Sequence, residues 1–409
     1  MLRNYLLITI AVMKRRKFFT FLSLFGISIT LLIMMVLAAF IDHVLGAGYP
    51  EQNRGRSLYI NRVELTDSLN NWHNISPASF YLLNTYLPTL KTPEAYALTT
   101  NFDYANAFVN GKKLALRLKY TNADFWKILR FNFLEGRPYQ LQEVNDGAKT
   151  IVLGEATAED YFGTATGIVG QNFELDNVIY KVVGIIKDVP ATRLFSSADV
   201  YLPYSNYKGD LNKKEYTGNF MAILMAPDKS QVKAMQAEFD AMAAKLKHIQ
   251  QGELTRLKFE AAPYLDTFTE NLLGGNSSIF YVLITLLALM FMLLPAINLV
   301  NINMSRIIER ASEIGVRKAF GASSKHLVLQ FIAENIFITM LGGLFAFLLS
   351  GLTLFIINKS QIIPYSDLQF NLKIFVLSLL MCLIFGLLSG VYPAWRMSKM
   401  QVTDALRGV

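Results

Sequence analysis

Long stretches without charged residues are the feature that most constrains how this chain folds. Three stretches are wholly uncharged and extend over Phe18–Ile41, Ile279–Val300 and Ile374–Tyr392. A fourth apolar stretch, Leu327–Ile357, contains one acid, Glu334, and a pair of glycines. Because an α-helix needs about 20 apolar residues to cross a bilayer, each stretch is long enough to be a membrane span.

The first stretch has two interpretations, a cleaved secretory signal peptide or a retained anchor. It follows the basic residues Lys14 to Lys17, as a signal core would. However, its 24 residues exceed the length of a signal core, and no Ala-x-Ala cleavage site precedes Asp42. We therefore expect a transmembrane helix.

The distribution of basic residues predicts the orientation. Residues 1–17 hold five basic and no acidic side chains, residues 301–326 five and two, and residues 396–409 three and one. By the positive-inside rule these segments are cytoplasmic. Residues 42–276, with 24 basic and 26 acidic side chains, are then outside. The net charge of +8 thus reflects membrane topology and does not indicate a nucleic-acid surface.

The predicted fold class is an α+β membrane protein with four transmembrane helices and a large mixed extracytoplasmic domain between the first and second helices. Within that domain we predict strands at 113–120, 150–153, 178–186, 220–225 and 254–261, and a helix at 229–247. The predicted order along the chain is a cytoplasmic amphipathic segment (1–17), helix (18–41), extracytoplasmic domain (42–276), helix (277–300), cytoplasmic segment (301–326), helix (327–357), outer loop (358–371), helix (372–395) and cytoplasmic tail (396–409).

The sequence lacks the motifs of an enzyme. Its one Gly-Lys pair, Gly111-Lys112, is outside the frame of a nucleotide-binding loop, so if ATP supplies energy to this protein, another chain must bind and hydrolyse it. The four histidines are scattered, which argues against a metal site, and no cofactor is expected on this chain. Cys382 is the only cysteine, so the extracytoplasmic domain is expected to be stable without a disulfide.

Glu334 is the one ionisable residue inside a predicted span. An intramembrane acid is costly and is therefore a candidate for function. Alternatively, Glu334 lies at the cytoplasmic interface, beside Arg or Lys of the 301–326 segment. Both interpretations stay open.

The cytoplasmic segment between the second and third spans reads as a short amphipathic helix. Glu313 and Arg317 form a favourable i, i+4 pair, and Ile314 lies on an apolar face. Such a helix suits either the lipid surface or a groove on a partner. The candidates for contact with a partner are Arg310, Glu313, Ile314, Gly315, Arg317 and Lys318.

The same segment carries a family resemblance. It resembles the signature R-x-x-E-I-G-[V/I]-R-K-A-x-G-A of MacB/FtsX-type permeases, and the match continues through Gln330, Phe331 and Glu334. The tail from Pro393 to Arg407 is similar to the closing motif of the family, although Val402 stands where members often have proline. Segments of the extracytoplasmic region resemble the periplasmic core domain of the family, among them Gly136-Arg137-Pro138, Tyr161-Phe162-Gly163 and Tyr180 to Gly184.

The resemblance implies a permease subunit in the bacterial inner membrane that works with an ABC ATPase subunit. It also implies that the candidates from Arg310 to Lys318 are ATPase-coupling residues. Such a subunit transmits the ATP-driven motion of the ATPase to its extracytoplasmic domain (mechanotransmission), for export of an antibiotic, peptide or lipoprotein. The alternative is an FtsX-like regulator of a cell-wall hydrolase, or a transmembrane signalling partner. Expected partners are membrane lipid and either a periplasmic adaptor or a cell-wall hydrolase, but no nucleic acid.

The resemblance also implies a homodimer or heterodimer of permeases. Gly26 and Thr30, four residues apart in the first span, form a small-residue face that allows two helices to approach closely. Gly386 and Gly390 in the last span offer a competing face, and either pair is also able to pack within the subunit. We favour Gly26 and Thr30 as the dimer interface.

Overall fold

The computed structural model describes residues 10–11, 13–15, 17–67, 72–246, 256–273, 278–290, 293 and 324–398. The chain divides into two compact units. The first comprises Met1–His43, Ile279–Ile362 and Leu368–Val409, and the second comprises Val44–Ser278 and Ile363–Asp367. The second unit therefore combines most of the predicted extracytoplasmic domain with five residues from the predicted outer loop.

Long apolar helices make up the described part of the first unit. By length and composition, Thr20–Leu45 and Ile332–Ser360 are able to cross a membrane, whereas the apolar helical stretches Ser278–Met290 and Leu372–Ile384 are shorter. They lie where the sequence predicts spans, and the number of four spans stays a prediction. The helices are α1 (Lys17–Leu45), α8 (Ser278–Met290), α9 (Ser324–Ser360) and α10 (Leu372–Ser398).

Helices α1 and α9 extend beyond the predicted spans. The sequence-based limit of the first span is Ile41, because Asp42 is charged, yet α1 continues to Leu45. Backbone hydrogen bonding does not stop at the first polar side chain, and His43 in the last turn is compatible with the negative end of the helix dipole. Helix α9 likewise ends at Ser360, not at Ile357.

Close packing of α1 against α9 organises the first unit. Ser28 Oγ donates a hydrogen bond to the Gly342 carbonyl oxygen at 3.0 Å. A Cβ atom on Gly342 would lie 2.8 Å from Ile27 Cγ2, so only glycine allows this approach. The buried cluster around this contact contains Ile27, Leu31, Met35, Ile338, Ala346, Phe375 and Cys382.

Thirteen strands are described in the second unit. They are β1 (Ser57–Ile60), β2 (Val63–Asp67), β3 (Trp72–Ser76), β4 (Ala95–Thr100), β5 (Asp103–Val109), β6 (Lys112–Thr121), β7 (Phe133–Gly136), β8 (Thr150–Gly154), β9 (Asn172–Leu175), β10 (Val178–Ile186), β11 (Val200–Pro203), β12 (Phe220–Met225) and β13 (Arg256–Phe259). The helices between them are α2 (Phe80–Tyr86), α3 (Asp124–Ile128), α4 (Leu141–Asn145), α5 (Glu155–Phe162), α6 (Val232–Ala243) and α7 (Tyr264–Leu273).

Ten of these strands form one mixed sheet in the order β1-β12-β4-β6-β11-β8-β10-β7, with β5 paired to β6 and β9 paired to β10. The β5–β6 hairpin and the β9–β10 hairpin lie next to each other. Asp176, at the β9–β10 turn, exchanges hydrogen bonds with the backbone of Asn106 in β5. A buried apolar cluster lies between them, with Leu116, Phe173 and Val182 among its members. The remaining strands pair antiparallel as β13-β2-β3.

The predicted α+β character is confirmed, and several predicted elements agree closely with the structure. Strands β10 and β12 have the predicted limits, and β6 is one residue longer at each end than the predicted 113–120. The predicted helix 229–247 is shorter, since α6 ends at Ala243 after a first turn of 3-10 helix at Lys229–Gln231. Strand β13 covers only Arg256–Phe259 of the predicted 254–261.

Candidate coupling site

The predicted ATPase-coupling residues, Arg310 to Lys318, lie outside the described residues. Glu334 is described, and its side chain is buried on the face of α9 that also carries Ile338 and Gly342. Gly342 contacts α1, so this face of α9 is turned toward the interior of the first unit. The function of Glu334 and of the coupling residues stays a prediction.

Gly26 and Thr30 are half-buried. Thr30 Oγ1 donates to the Gly26 carbonyl oxygen at 2.9 Å, so its hydroxyl is satisfied within α1. The contact of α1 with α9 uses the adjacent face, at Ile27 and Ser28. The dimer contact at Gly26 and Thr30 stays a prediction. Gly386 and Gly390 belong to α10.

Sequence reasoning did not identify a group of buried charged residues in the second unit. Within the second unit, charged and aromatic side chains meet where the chain enters that unit. We call this group, Glu51, Arg54, Arg193, Ser196 and Tyr264, the Arg54 cluster. Glu51 is 1% exposed, Arg54 7% and Arg193 3%, which is rare for ionised residues unless they are paired.

Arg54 is held by three kinds of contact. Its Nε donates to Glu51 Oε2 at 2.7 Å, and Nη2 lies 2.6 Å from the same oxygen in an ion-pair contact that lacks hydrogen-bond geometry. Its guanidinium carbon lies 3.4 Å from the centre of the Tyr264 ring, a cation–π distance. The other carboxylate oxygen of Glu51 accepts a hydrogen bond from Ser196 Oγ at 2.6 Å.

Both arginines bind the backbone at the end of α1. Arg54 Nη1 donates to the carbonyl oxygens of Val44 and Gly46 at 2.8 and 2.9 Å. Arg193 Nη1 donates to the same Gly46 oxygen at 2.7 Å. The last carbonyls of a helix have no partner within the helix and carry the negative end of its dipole. The two guanidinium groups therefore cap α1 and replace the water that burial excludes.

The charges of the cluster influence one another. Burial by itself would lower the pKa of Arg54, but the Glu51 carboxylate and the Tyr264 and Tyr59 rings leave that pKa raised. Burial and the nearby Arg54 charge lower the pKa of Arg193. Two cations thus share one carboxylate, and the carbonyl dipoles at the end of α1 compensate for part of the excess positive charge.

An aromatic group connects the cluster to the start of α7, the last described helix before α8. The Tyr59 ring meets the rings of Phe195 and Tyr264 edge-on, with centroids 4.8 and 5.3 Å apart. Tyr59 also pairs through its backbone with Ala262, two residues before α7 begins. Such rings resist displacement because they are packed on several sides.

The outer loop between α9 and α10 reaches the same neighbourhood. The carbonyl oxygen of Pro364 in this loop accepts a hydrogen bond from Ala191 N at 3.2 Å. Ala191 lies two residues before Arg193 in the sequence. Tyr365, whose backbone is left-handed with φ 58°, lies near Asp188, Asp199 and Arg117. Burial, followed by the charge of Asp188, raises the pKa of the Tyr365 phenol to about 12. Burial also raises the pKa of Asp188, to about 6.

One buried lysine lies beside the cluster. Lys119, in the middle of the large sheet, is fully buried, and its Nζ donates to the Thr100 carbonyl oxygen at 2.7 Å. Burial lowers the pKa of Lys119 to about 7, while the Glu51 carboxylate acts in the opposite direction. The described residues contain no group of three or more side chains suited to hold a metal ion.

A sequence signal for the cluster existed, although it was weak. Glu51 and Arg54 lie three residues apart directly after an apolar span, where solvated charges are ordinary. Arg193 is about 140 residues away along the chain, and nothing in its local sequence distinguishes it from a surface arginine. Only the fold brings them together.

Two family profiles match the chain. One described as MacB-like periplasmic core domain covers residues 20–242, which is more than half of the chain. One described as FtsX-like permease C-terminal covers residues 285–402. Their order agrees with an extracytoplasmic domain followed by C-terminal membrane helices.

Curated relatives give the same assignment. The macrolide export ATP-binding/permease protein MacB of Escherichia coli K12 is 24% identical over 311 residues, which are 71% of this chain and 45% of that protein. The MacB protein of Shigella flexneri has the same identity and coverage. The chain thus spans less than half the length of these relatives.

Two solved structures are similar to part of this chain, each at low sequence identity. The periplasmic region of MacB from Actinobacillus actinomycetemcomitans is 14% identical, with a TM-score of 0.37, over 54% of this chain and 96% of that one. A domain of a permease protein from Porphyromonas gingivalis is 13% identical, with a TM-score of 0.39, over 53% and 93%.

Proposed function

Because the chain belongs to the MacB/FtsX family of ABC transporter permeases, we propose that it transmits the motion of a separate ATPase subunit to its extracytoplasmic domain. The transported molecule is of the class that this family exports, an antibiotic, a peptide or a lipoprotein. This chain binds no cofactor, and ATP is bound and hydrolysed by the partner. Two copies, or one copy and a related permease, form the working unit.

The observation that carries this proposal is the meeting of three chain segments within the second unit. Val44 and Leu45 end α1 and Gly46 follows it, Tyr264 begins the helix that precedes α8, and Ile363–Asp367 lie between α9 and α10. The end of α1 accepts hydrogen bonds from Arg54, and the Tyr264 ring stacks on the Arg54 guanidinium group. The segment Ile363–Asp367 accepts a hydrogen bond from Ala191, near Arg193. Motion of the helices would therefore reach one buried, tightly hydrogen-bonded group.

The proposal includes four membrane spans with both termini in the cytoplasm. In a variant with Cys382 replaced by alanine, an impermeant thiol reagent applied to intact cells is expected to label Lys149→Cys. Lys318→Cys should be labelled only after the membrane is permeabilised, because basic segments stay in the cytoplasm. The reverse labelling pattern would refute this orientation.

The second part of the proposal is that the segment around Glu313 and Arg317 binds the ATPase. Replacing both residues by alanine is expected to weaken binding of the copurifying ATPase roughly tenfold or more, since truncating one partner of a buried charge pair costs about 2–5 kcal/mol. Binding and stimulated ATP hydrolysis are measured with the full chain in lipid nanodiscs.

The matched control replaces another ion pair, Arg137 and Glu143, which are 2.7 Å apart in the second unit. This control removes the same two residue types and is expected to leave ATPase binding unchanged. If the Glu313/Arg317 variant also binds and stimulates the ATPase normally, the segment has no coupling function and is better explained as a helix on the lipid surface.

A further inference from the structure

A second group of charged residues lies at the other end of α7 from the Arg54 cluster. We call this group, Arg62, Glu64, Lys258 and Glu270, the Glu270 network. Within it, Glu270 Oε1 lies 2.7 Å from Arg62 Nη2 and accepts a hydrogen bond from Lys258 Nζ at 2.6 Å. Glu64 Oε1 lies 2.6 Å from the same Arg62 nitrogen. One carboxylate on α7 is therefore paired with two cations from other elements.

The network is not a solvated surface cluster. The side chains of Glu270, Arg62 and Glu64 are 13%, 15% and 16% exposed. Exposed ion pairs contribute little because water and salt screen them, whereas partly buried pairs are screened much less. Burial by itself would lower the pKa of Lys258, but the Glu270 and Glu260 carboxylates leave that pKa raised.

The alternation of β2 places the network on one side of the small sheet β13-β2-β3. Val63 and Leu65 are buried in an apolar cluster on one face of β2. Glu64, between them, points to the opposite face, where Lys258 of β13 is its cross-strand partner. Because Lys258 also binds Glu270, the last turn of α7 is held at this face.

Glu270 stands where helix formation alone disfavours an acid. It is the fourth residue from the end of α7, near the negative end of the helix dipole, and the last turn contains no basic residue. Arg62 Nη1 lies 3.5 Å from the Glu270 carbonyl oxygen, so Arg62 brings positive charge to this helix end from outside the helix. A helix of ten residues is marginal by itself and depends on such contacts.

We propose that Glu270 is a positioning residue that braces the end of α7 against the small sheet. A displacement of the chain where it continues towards α8 then moves the second unit instead of unwinding α7. The other end of α7 is fixed already, because the Tyr264 ring stacks on Arg54 and meets the Tyr59 ring. Helix ends fray unless they are held, and a frayed turn would absorb the displacement. This inference rests on the proposed transmission of motion and assigns a residue to it.

The brace itself is tested without the ATPase, by hydrogen exchange of the full chain in nanodiscs. Glu270→Gln keeps the side-chain shape but removes the charge, and amide exchange in the last two turns of α7 is expected to rise at least tenfold. The matched control is Glu215→Gln, because Glu215 has an ion pair of 2.7 Å with Lys213 elsewhere in the second unit. It should leave exchange in α7 unchanged. Equal exchange in the natural and Glu270→Gln chains would overturn the proposal.

Transmission is tested in nanodiscs with the copurified ATPase. A donor dye is attached through an azide-bearing amino acid in place of Ile179, which is 60% exposed on β10, and energy transfer to acceptor lipids reports the distance of the second unit from the membrane. Trapping the ATPase with ATP and vanadate is expected to change the transfer efficiency in the otherwise natural chain. Glu270→Gln should reduce that change at least fivefold without weakening ATPase binding, whereas Glu215→Gln should preserve it.

A covalent brace distinguishes positioning from charge. In a chain that carries Cys382→Ala, Glu270→Cys with Lys258→Cys should lose the response to trapping. Joining the two thiols with a short bifunctional maleimide should restore the response at least threefold, although neither charge returns.

The outcomes separate this inference from the proposed function. If the natural chain responds to trapping and Glu270→Gln responds equally, or if the covalent brace restores nothing, the positioning role is overturned while the proposed function stands. If the natural chain itself does not respond, the proposed function fails and the positioning role fails with it.

Discussion

Replacing Arg54 by alanine is expected to lower the free energy of unfolding of the second unit by about 3–5 kcal/mol, the range measured when one partner of a buried ion pair is removed. The Glu51 side chain would lose its ion-pair partner in a site that is 1% exposed, with Ser196 as its remaining side-chain hydrogen-bond donor. The carbonyl oxygens of Val44 and Gly46 would also lose Arg54 as a donor. The loss therefore combines an uncompensated carboxylate with an uncapped helix end.

Denaturation by urea of the full chain in nanodiscs measures this effect. Trp126 is buried in the core of the second unit and reports its unfolding, provided that Trp72 and Trp395 are replaced by phenylalanine. The matched control is Arg137→Ala, because the side chain of Arg137 is 50% exposed although its ion pair with Glu143 is equally short, 2.7 Å. That control should cost less than about 1 kcal/mol.

A second variant distinguishes lost charge compensation from lost packing. Adding Glu51→Gln to Arg54→Ala removes the unpaired carboxylate and is expected to recover part of the lost stability. If Arg54→Ala costs no more than Arg137→Ala, the cluster does not stabilise the end of α1, and the proposed transmission through it has no structural basis.

Replacing Lys119 by methionine is expected to have the opposite sign and to stabilise the second unit at pH 7 by about 1–4 kcal/mol, as found when buried charges are exchanged for apolar residues of similar volume. Lys119 is fully buried and has a single hydrogen bond, to the Thr100 carbonyl oxygen, together with the Phe102 ring 5.3 Å from its Nζ. Methionine fills a similar space without requiring a charge to be desolvated.

The pH dependence identifies the lysine as the cause. Burial lowers the pKa of Lys119 from 10.5 to about 7, so between these values the unfolded chain binds the proton and the folded chain does not. Stability must then rise with pH through this window and be lowest below pH 7. At about 1.4 kcal/mol for each pH unit, the full gain is roughly 3–5 kcal/mol.

Subtracting the methionine variant from the natural chain isolates Lys119, because all other titrating groups are common to both. The advantage of the methionine variant in free energy of unfolding should fall as the pH rises from 7 and should vanish or change sign by about pH 10. Lys112→Met, at the exposed end of the same strand, should show no such trend. A difference that stays constant over this range would mean that Lys119 remains charged in the folded protein, with Glu51 as its counter-ion.

Much of the local structure was predictable from the sequence. The limits of β10 and β12 agree with the prediction, because β10 is rich in β-branched residues and β12 is a short apolar run of strand length. Elements with weaker patterns were not predicted, among them β1 at Ser57–Ile60 and β11 at Val200–Pro203. Each has only four residues, and all four are buried, so neither shows the alternation that identifies a half-exposed strand.

The sequence by itself determined the class of protein, the positions of the apolar helices and the family, because hydrophobic length, charge distribution and the segment from Arg310 to Ala322 are properties of neighbouring residues. Tertiary structure alone decided which distant residues share a site. Arg54 and Arg193 meet at the end of α1 because the fold joins segments that are far apart in the chain. In β5, Tyr104 and Phe108 stay exposed while Ala105 and Ala107 between them are buried, because the sheet packs on one face of this strand. Burial and pairing energies depend on those contacts, and no local pattern in the sequence records them.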